Sequence, residues 1–353
     1  MTASRWHVSP VVDVSAYAFS WLFVLLPLTF FSSREHQIVM LLIVVGLTFA
    51  HRHYTLPYVY LDREIFDTHP KRFTWFPLFM LIGFLASPVL WNTRARIVVA
   101  AVVFVAGAWN IWHVYAQKFG VLRMYAAKSG RVESPRWIDR VLLFCWVPLF
   151  VVWLVPAYRD QVENAFPTVR AIAVPLMDAM ARVLPFLLVP AIACVGAGLG
   201  IFLHSEWKTQ GFCNAPRLSM ALGTTLLSAS FLIFNPVHVF MAFAFSHAVE
   251  YMVFVWALQR RRYAAPRVPE PRLGRILKHP WLAYGIFTFG ITVPYLLMRF
   301  WGYLIVPEAT NPMILGTTIE RWAFYWSVFQ SLVHFYYDGF LWKMRSPSIQ
   351  ANI

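Results

Sequence analysis

Five histidines lie toward the C-terminal ends of long hydrophobic segments in this chain: His51, His113, His204, His247 and His334. Three of them are followed, about one helical turn later, by a polar side chain: Gln117, Glu250 and Asp338. Ionisable side chains at membrane depth are costly, and they are typical of sites that bind or react. Imidazole and carboxylate groups together are ligands of non-haem iron, zinc and manganese. The pattern therefore predicts a buried metal site.

The composition indicates the kind of protein that carries these residues. The chain has 353 residues, of which 59% are hydrophobic and only 13% are charged, and its mean hydropathy is +0.58. About a quarter of the residues in an ordinary soluble domain are charged. We therefore expect an all-α, polytopic membrane protein that forms a single integral-membrane domain over residues 1–353.

Apolar runs of about twenty residues match the length that a helix needs to cross roughly 30 Å of hydrocarbon. They predict about ten transmembrane helices, at 14–31, 37–51, 73–91, 97–117, 141–157, 184–203, 218–233, 237–258, 281–304 and 322–341. The first run follows Arg5 but has no small-residue cleavage motif after it, so we interpret it as a retained helix.

The distribution of basic residues predicts the orientation of these helices. With ten spans, the two termini and the even-numbered loops share one side, and most of the 30 Lys and Arg residues lie there. Cytoplasmic loops carry the excess of basic residues, so we expect both termini in the cytoplasm of a bacterium and the spans in its inner membrane. The net charge of +14 favours contact with anionic lipids. It does not favour nucleic acid, because the charge is scattered over several loops.

This topology determines which side chains can meet. Even-numbered spans end at the cytoplasmic face, so residues late in those spans share a depth. At 1.5 Å per residue the imidazoles extend from the interface to roughly 15 Å inside. The predicted metal ligands are His51, His53, His113, His204, His247, Glu250, His334 and Asp338.

Spacing within the spans supports this grouping. Asn110, His113 and Gln117 lie at i, i+3 and i+7, which places them on one helical stripe. A carboxylate one turn from a histidine can bind the same metal, bridge two metals or hold the imidazole through its second nitrogen. We therefore expect Glu250 and Asp338 to act as catalytic residues as well as ligands. The residues expected to support the ligands are Asn110, Gln117, Asp62 and Tyr251.

The stretch from His51 to Asp62 allows two interpretations. Two histidines at i and i+2 cannot share a helical face, but both can point at one ion where a helix unwinds, and Pro57 fits such an end. Asp62 could then reach back from the next loop. Alternatively, His51 and His53 are interfacial polar residues near lipid phosphate.

The type and number of ligands restrict the metal. More than four candidate ligands favour two ions over one, and imidazole with carboxylate favours iron, with zinc or manganese as alternatives. Thiolate zinc and iron–sulfur sites are not expected, because Cys145, Cys194 and Cys213 are single and show no ligand spacing.

In general design the chain resembles the histidine-rich integral-membrane non-haem iron oxygenases, namely the desaturase and hydroxylase group and the membrane carotenoid-cleaving enzymes. The residues that carry the resemblance are His51, His53, His113, His247, His334 and Asp338. The paired-histidine boxes of the desaturases are absent. The resemblance implies an oxidoreductase that uses O₂ to hydroxylate, desaturate or cleave an apolar lipid-like substrate. We expect any electrons needed to come from a cytoplasmic donor.

Two other functions remain open at this point. A bis-histidine haem protein that exchanges electrons with a quinone needs only two facing histidines, such as His113 and His247, but it leaves Glu250 and Asp338 without a cation. A proton-coupled transporter could use the same side chains as a proton relay, although the chain shows no clear internal repeat of the kind common in transporters.

Overall fold

The computed structural model describes residues 5–31, 33–130, 134–153, 159, 167–265, 268–304 and 312–342. The structure is about 83% helical. The only strands among the described residues are β1 (Met313–Ile314) and β2 (Thr317–Thr318), which pair antiparallel. The predicted all-α class is confirmed.

The helices follow one another along the described residues in a simple order. They are α1 (Pro10–Asp13), α2 (Leu22–Phe30), α3 (Arg34–His53), α4 (Thr55–Tyr60), α5 (Arg63–Thr68), α6 (Pro70–Trp91), α7 (Arg96–Lys128), α8 (Arg136–Phe144), α9 (147–153), α10 (Pro167–Gln210), α11 (Ala215–Ser230), α12 (Pro236–Arg262), α13 (Arg272–Leu277), α14 (Pro280–Gly285), α15 (Val293–Arg299), α16 (Trp301–Leu304) and α17 (Ile319–Leu341). Two π-helical segments, Val14–Ala18 and Ile286–Thr292, continue α1 and α14.

Several helices are long and apolar enough to span a membrane, as the sequence predicted. Within the part of the chain that the structure describes, five qualify: Arg34–Tyr60, Pro70–Trp91, Arg96–Lys128, Met177–Thr209 and Pro236–Arg262. A sixth span arises if the pair Pro10–Ala18 and Leu22–Phe30, bent by 56°, crosses as one unit. The predicted number of ten is not confirmed.

The difference between the ten predicted spans and the five or six helices that qualify has local structural reasons. The predicted span 141–157 is interrupted between α8 and α9 at Cys145 and Trp146, and its last residues lie outside the described part of the chain. α11 has only 16 residues. The predicted span 281–304 is divided into α14, a π-helical segment, α15 and α16. α17 is a continuous helix of 23 residues, but its polar and aromatic side chains lower its hydropathy.

The chain forms two compact units, 1–30 with 115–243 and 31–114 with 244–353. The first unit contains a buried charge network. The guanidinium of Arg217 is fully buried and donates to Asp139 and Glu206, and Arg123 donates to Asp139 at 3.2 Å. Burying charges requires partners of this kind, so the network specifies how α8, α10 and α11 pack.

The second unit contains α3 to α6, the first part of α7, the last part of α12, and α13 to α17. Ser33 caps the start of α3, where its hydroxyl accepts a hydrogen bond from the backbone N–H of His36. α3 ends at His53, and after Tyr54 the chain begins α4 at Thr55. α17 packs against α3, α4, α6 and α15. The ends of α3 and α17 therefore come together inside this unit.

Candidate metal centre

Four imidazoles from four helices meet in the interior of the second unit. They belong to His51 of α3, His113 of α7, His247 of α12 and His334 of α17, and all four side chains are buried. The ring of His51 lies 4.9 Å from those of His247 and His334. The ring of His113 lies 5.1 Å and 4.9 Å from the same two rings. The four rings thus form a closed square in which neighbouring planes are steeply inclined.

Several ring nitrogens in this square lack a hydrogen-bond partner among the described residues. Neither ring nitrogen of His51, nor Nε2 of His113 or His334, has a hydrogen bond to any described residue. Burying a polar group without a partner costs free energy, typically about 1–3 kcal/mol per group. A cation shared by these nitrogens would remove that cost.

Two overlapping groups have the composition of a metal site. One is His51, His247 and His334, and the other is His113, His334 and Asp338; within each group the ligand atoms lie within 4.8 Å of one another. Two ligands at 2.0–2.1 Å from one ion lie at most roughly 4.2 Å apart. Three ligands cannot all lie on opposite sides of one ion, so a bound ion would draw the most widely separated atoms closer together through small side-chain rotations.

The two oxygens of Asp338 have different surroundings. Oδ1 accepts hydrogen bonds from Thr55, Tyr251 and Trp342, at 3.2, 3.1 and 2.8 Å. Oδ2 lies 3.6 Å from Nε2 of His113 and 3.4 Å from Nε2 of His334. One oxygen is therefore held by donors, while the other faces the imidazoles as a ligand would.

Thr55 also orients His334. Its hydroxyl oxygen lies 3.3 Å from Nδ1 of that imidazole. If Nδ1 carries the proton and donates to Thr55, Nε2 has a lone pair and faces the carboxylate oxygen of Asp338. Two such acceptors repel unless a proton or a cation lies between them. Hydrogen bonding to the second nitrogen is also how proteins orient metal-binding histidines.

Tyr251, which was predicted to support the ligands, does contact them. It lies one turn after His247, and its ring is 5.4 Å from His51 and 5.0 Å from His334. Its hydroxyl oxygen lies 2.5 Å from that of Thr55 and 3.1 Å from Oδ1 of Asp338. It therefore links α4, α12 and α17 behind the imidazoles.

Other predicted ligands lie outside both groups. Nδ1 of His53 is 2.9 Å from the carbonyl oxygen of Phe49 in its own helix. Glu250 is fully buried, and its Oε1 accepts from Ser246 at 2.7 Å. His204 belongs to the first unit, where it is exposed and its ring lies 6.1 Å from Trp207.

The remaining predicted supporting residues are also placed elsewhere. Asp62 is fully buried and accepts from Arg262 at 3.0 Å and from Tyr263 at 2.6 Å. Asn110 is half-buried on α7, and Gln117, also half-buried, belongs to the first unit. The structure brings none of these three into the groups of candidate ligands.

Sequence reasoning missed Thr55 and Trp342. Each lies four residues after a candidate ligand, Thr55 after His51 and Trp342 after Asp338. That spacing is the helical signal that could have indicated them. The spacing alone does not identify these two residues, because it applies within one helix. α3 ends between His51 and Thr55, and α17 ends before Trp342.

No protein-family model, curated protein or solved structure matches this chain. The chemistry and geometry of its residues are therefore the basis for assigning a function.

Proposed function

We propose that this chain is an integral-membrane non-haem metalloenzyme, an iron-dependent oxidoreductase that uses O₂ to oxidise an apolar, lipid-like substrate. The observation that carries the proposal is the buried square of four imidazoles with Oδ2 of Asp338 beside two of them. Ionisable groups at membrane depth are typical of functional sites.

The geometry favours one ion rather than the two suggested by the number of candidate ligands. His334 belongs to both groups, and its Nδ1 is already engaged by Thr55. A single Nε2 cannot bind two separate ions. Four imidazoles and one carboxylate oxygen around one ion account for all the grouped atoms, with Glu250 outside the ligand set.

The choice of metal depends on which side chains bind it. His113, His334 and Asp338 include the two histidines and one carboxylate found in non-haem Fe(II) oxygenases, and His51 and His247 would add two further imidazoles. The three-histidine group resembles a catalytic zinc site, so zinc with a hydrolytic outcome is the competitor. Bound iron would supply the oxygen activation needed to hydroxylate, desaturate or cleave an unactivated carbon chain.

The chain's own residues would orient the ligands and exclude water. Thr55, Tyr251 and Trp342 hold Asp338 through Oδ1 and leave Oδ2 directed at the imidazoles. Phe335 is buried and its ring packs 4.7 Å from that of His113. Trp109, which is 37% exposed, lies 6.2 Å from Phe335. These two aromatic rings offer an apolar approach from the lipid to His113.

The haem alternative fits this geometry poorly. A porphyrin held by two axial histidines needs the plane between them. His51 and His113 are one opposite pair of the square, and His247 and His334 are the other. The space between the members of each pair is occupied by the two rings of the other pair, which lie within 5.1 Å of both. A metal-free, proton-coupled transporter remains the other alternative, and metal content distinguishes it from the enzyme.

The membrane arrangement is part of the proposal. Ten passages with both termini in the cytoplasm of a bacterium would place the late residues of α3, α7, α12 and α17 near the inner leaflet. Both termini lie outside the described residues, and this orientation rests on the basic loops. An acidic electron donor would dock on one of two basic segments, 118–140 or 259–280, where the Lys and Arg residues concentrate.

Elemental analysis of the detergent-purified full chain tests the proposal. We expect about one iron per chain in the wild type and a loss of the metal in His113→Ala and His334→Ala. His204→Ala, which changes an exposed histidine, should retain the metal. Wild-type protein that folds without metal would overturn the proposal, and zinc in place of iron would overturn the oxygenase assignment.

A further inference from the structure

A basic cleft lies at the C-terminal end of α12, away from the imidazoles. Its volume is about 350 Å³, within the roughly 300–1,000 Å³ of typical small-molecule sites. We define the basic cleft by its lining residues: Trp256, Gln259, Arg260, Tyr263, Ala264, Gly274, Leu277 and Lys278.

The position of the basic cleft matches the level of lipid head groups. α12 is one of the helices apolar enough to span a membrane, and it ends at Arg262. Trp256 is 43% exposed on the same face, and tryptophan is enriched at membrane–water interfaces. A molecule in this cleft would have polar groups near Arg260 and apolar groups along the side of the helix.

The charges in the basic cleft leave one cation without an acidic partner. Arg262, which does not line the cleft, pairs with Asp62 and Glu64, and Lys278 pairs with Glu270. The guanidinium of Arg260 lies 5.4 Å from the centre of the Trp256 ring and has no carboxylate partner among the described residues. Arg260 is therefore the lining cation that no described carboxylate neutralises directly.

The remaining walls are neutral and closely packed. Burial, together with the hydrogen bond to Asp62, raises the pKa of Tyr263, so this phenol stays protonated. Gly274 lets α13 approach, since a Cβ there would lie 3.1 Å from the Tyr263 ring. α13 thereby packs against Tyr263, and Lys278 at its end lines the same cleft as Arg260.

We propose that the basic cleft binds the phosphodiester of one anionic phospholipid, with Arg260 and Lys278 contacting the phosphate and Trp256 and Leu277 contacting its glycerol and upper acyl chains. A phosphodiester carries one negative charge, which would pair with the guanidinium of Arg260. The proposal is independent of the metal centre and holds whether or not the protein is an oxygenase.

Native mass spectrometry of the delipidated full chain tests this site. Phosphatidylglycerol and phosphatidylcholine with identical acyl chains serve as probes, with glycerol 3-phosphate and inorganic phosphate as soluble competitors. We expect one phosphatidylglycerol to bind in preference to phosphatidylcholine. Arg260→Gln should weaken it about fivefold, as expected for one basic residue near the membrane surface, and Arg260→Lys should largely retain it.

Arg275→Gln is the matched control, because Arg275 is exposed on α13 but does not line the cleft. It should leave the binding of phosphatidylglycerol nearly unchanged. Equal weakening by Arg260→Gln and Arg275→Gln would indicate only a diffuse surface potential and would overturn the proposal. Equal binding of the two lipids would overturn it as well, and so would full displacement by inorganic phosphate, which would indicate a site for the free ion.

Discussion

Thr55 and Asp338 are 283 residues apart in sequence, yet the hydroxyl of Thr55 donates a hydrogen bond of 3.2 Å to Oδ1 of Asp338. The same hydroxyl oxygen lies 3.3 Å from Nδ1 of His334. One side chain thus orients both a carboxylate and an imidazole of the candidate metal centre. It occupies this position because α4 begins at Thr55, two residues after α3 ends.

Replacing Thr55 should therefore weaken metal binding without removing a ligand. Changes in groups that orient metal ligands typically lower metal affinity 10–100-fold, and we expect this loss for Thr55→Ala in a chelator competition titration. Thr48→Ala is the matched control, because the Thr48 hydroxyl only donates to backbone carbonyls of its own helix, at 2.8 Å for that of Val44. Equal affinities of the two variants would contradict the assigned role of Thr55.

Neutralising Asp338 and Glu250 in separate variants distinguishes a site for one ion from a site for two. Asp338→Asn removes the charge of the oxygen that faces His113 and His334, so we expect metal affinity to fall more than tenfold. Glu250→Gln should retain the full metal content, because Glu250 lies outside both groups of candidate ligands. Inductively coupled plasma mass spectrometry measures the metal content of both variants. A second ion in the wild type that disappears in Glu250→Gln would refute the one-ion site.

Asp62 should contribute to stability rather than to the metal centre. Asp62→Asn removes the buried carboxylate beside Arg262, which is 8% exposed, and leaves only the exposed Glu64 as its partner. Leaving a buried charge with no partner costs about 3–5 kcal/mol, so we expect a smaller but measurable loss of stability. The midpoint of denaturant unfolding in detergent should fall accordingly, while metal per folded chain stays constant. In the control Asp67→Asn, which breaks an exposed pair with Arg63, stability should change by about 1 kcal/mol or less.

The packing of α11 in the first unit depends on a glycine. A Cβ on Gly223 would lie 2.0 Å from the backbone oxygen of Ala18, so Gly223→Ala must force these segments apart. Overpacking of this kind typically costs about 1–3 kcal/mol, and thermal unfolding of the purified protein measures it. For Gly200→Ala, no described atom lies within 4 Å of the added Cβ. Similar melting temperatures for the two variants would contradict this contact.

The spans illustrate what local patterns predict and where they fail. α6 and α12 follow the predicted runs 73–91 and 237–258 closely, because hydropathy and helix length are properties of neighbouring residues. The predicted run 281–304 has a similar composition but is broken by a π-helical segment and by the end of α15. Such breaks depend on side-chain packing against other helices, which a hydropathy average does not contain.

The sequence alone indicated an all-α membrane protein and identified His51, His113, His247, His334 and Asp338 as candidate ligands, since a costly polar residue in an apolar run is visible in one dimension. The tertiary structure decided that these five side chains meet, while His53, His204, Glu250 and Asp62 have other surroundings. It also decided that Thr55 and Trp342 hold Asp338. The physical reason is that a helical stripe specifies a face of one helix, whereas the contacts of that face depend on the packing of α3, α7, α12 and α17.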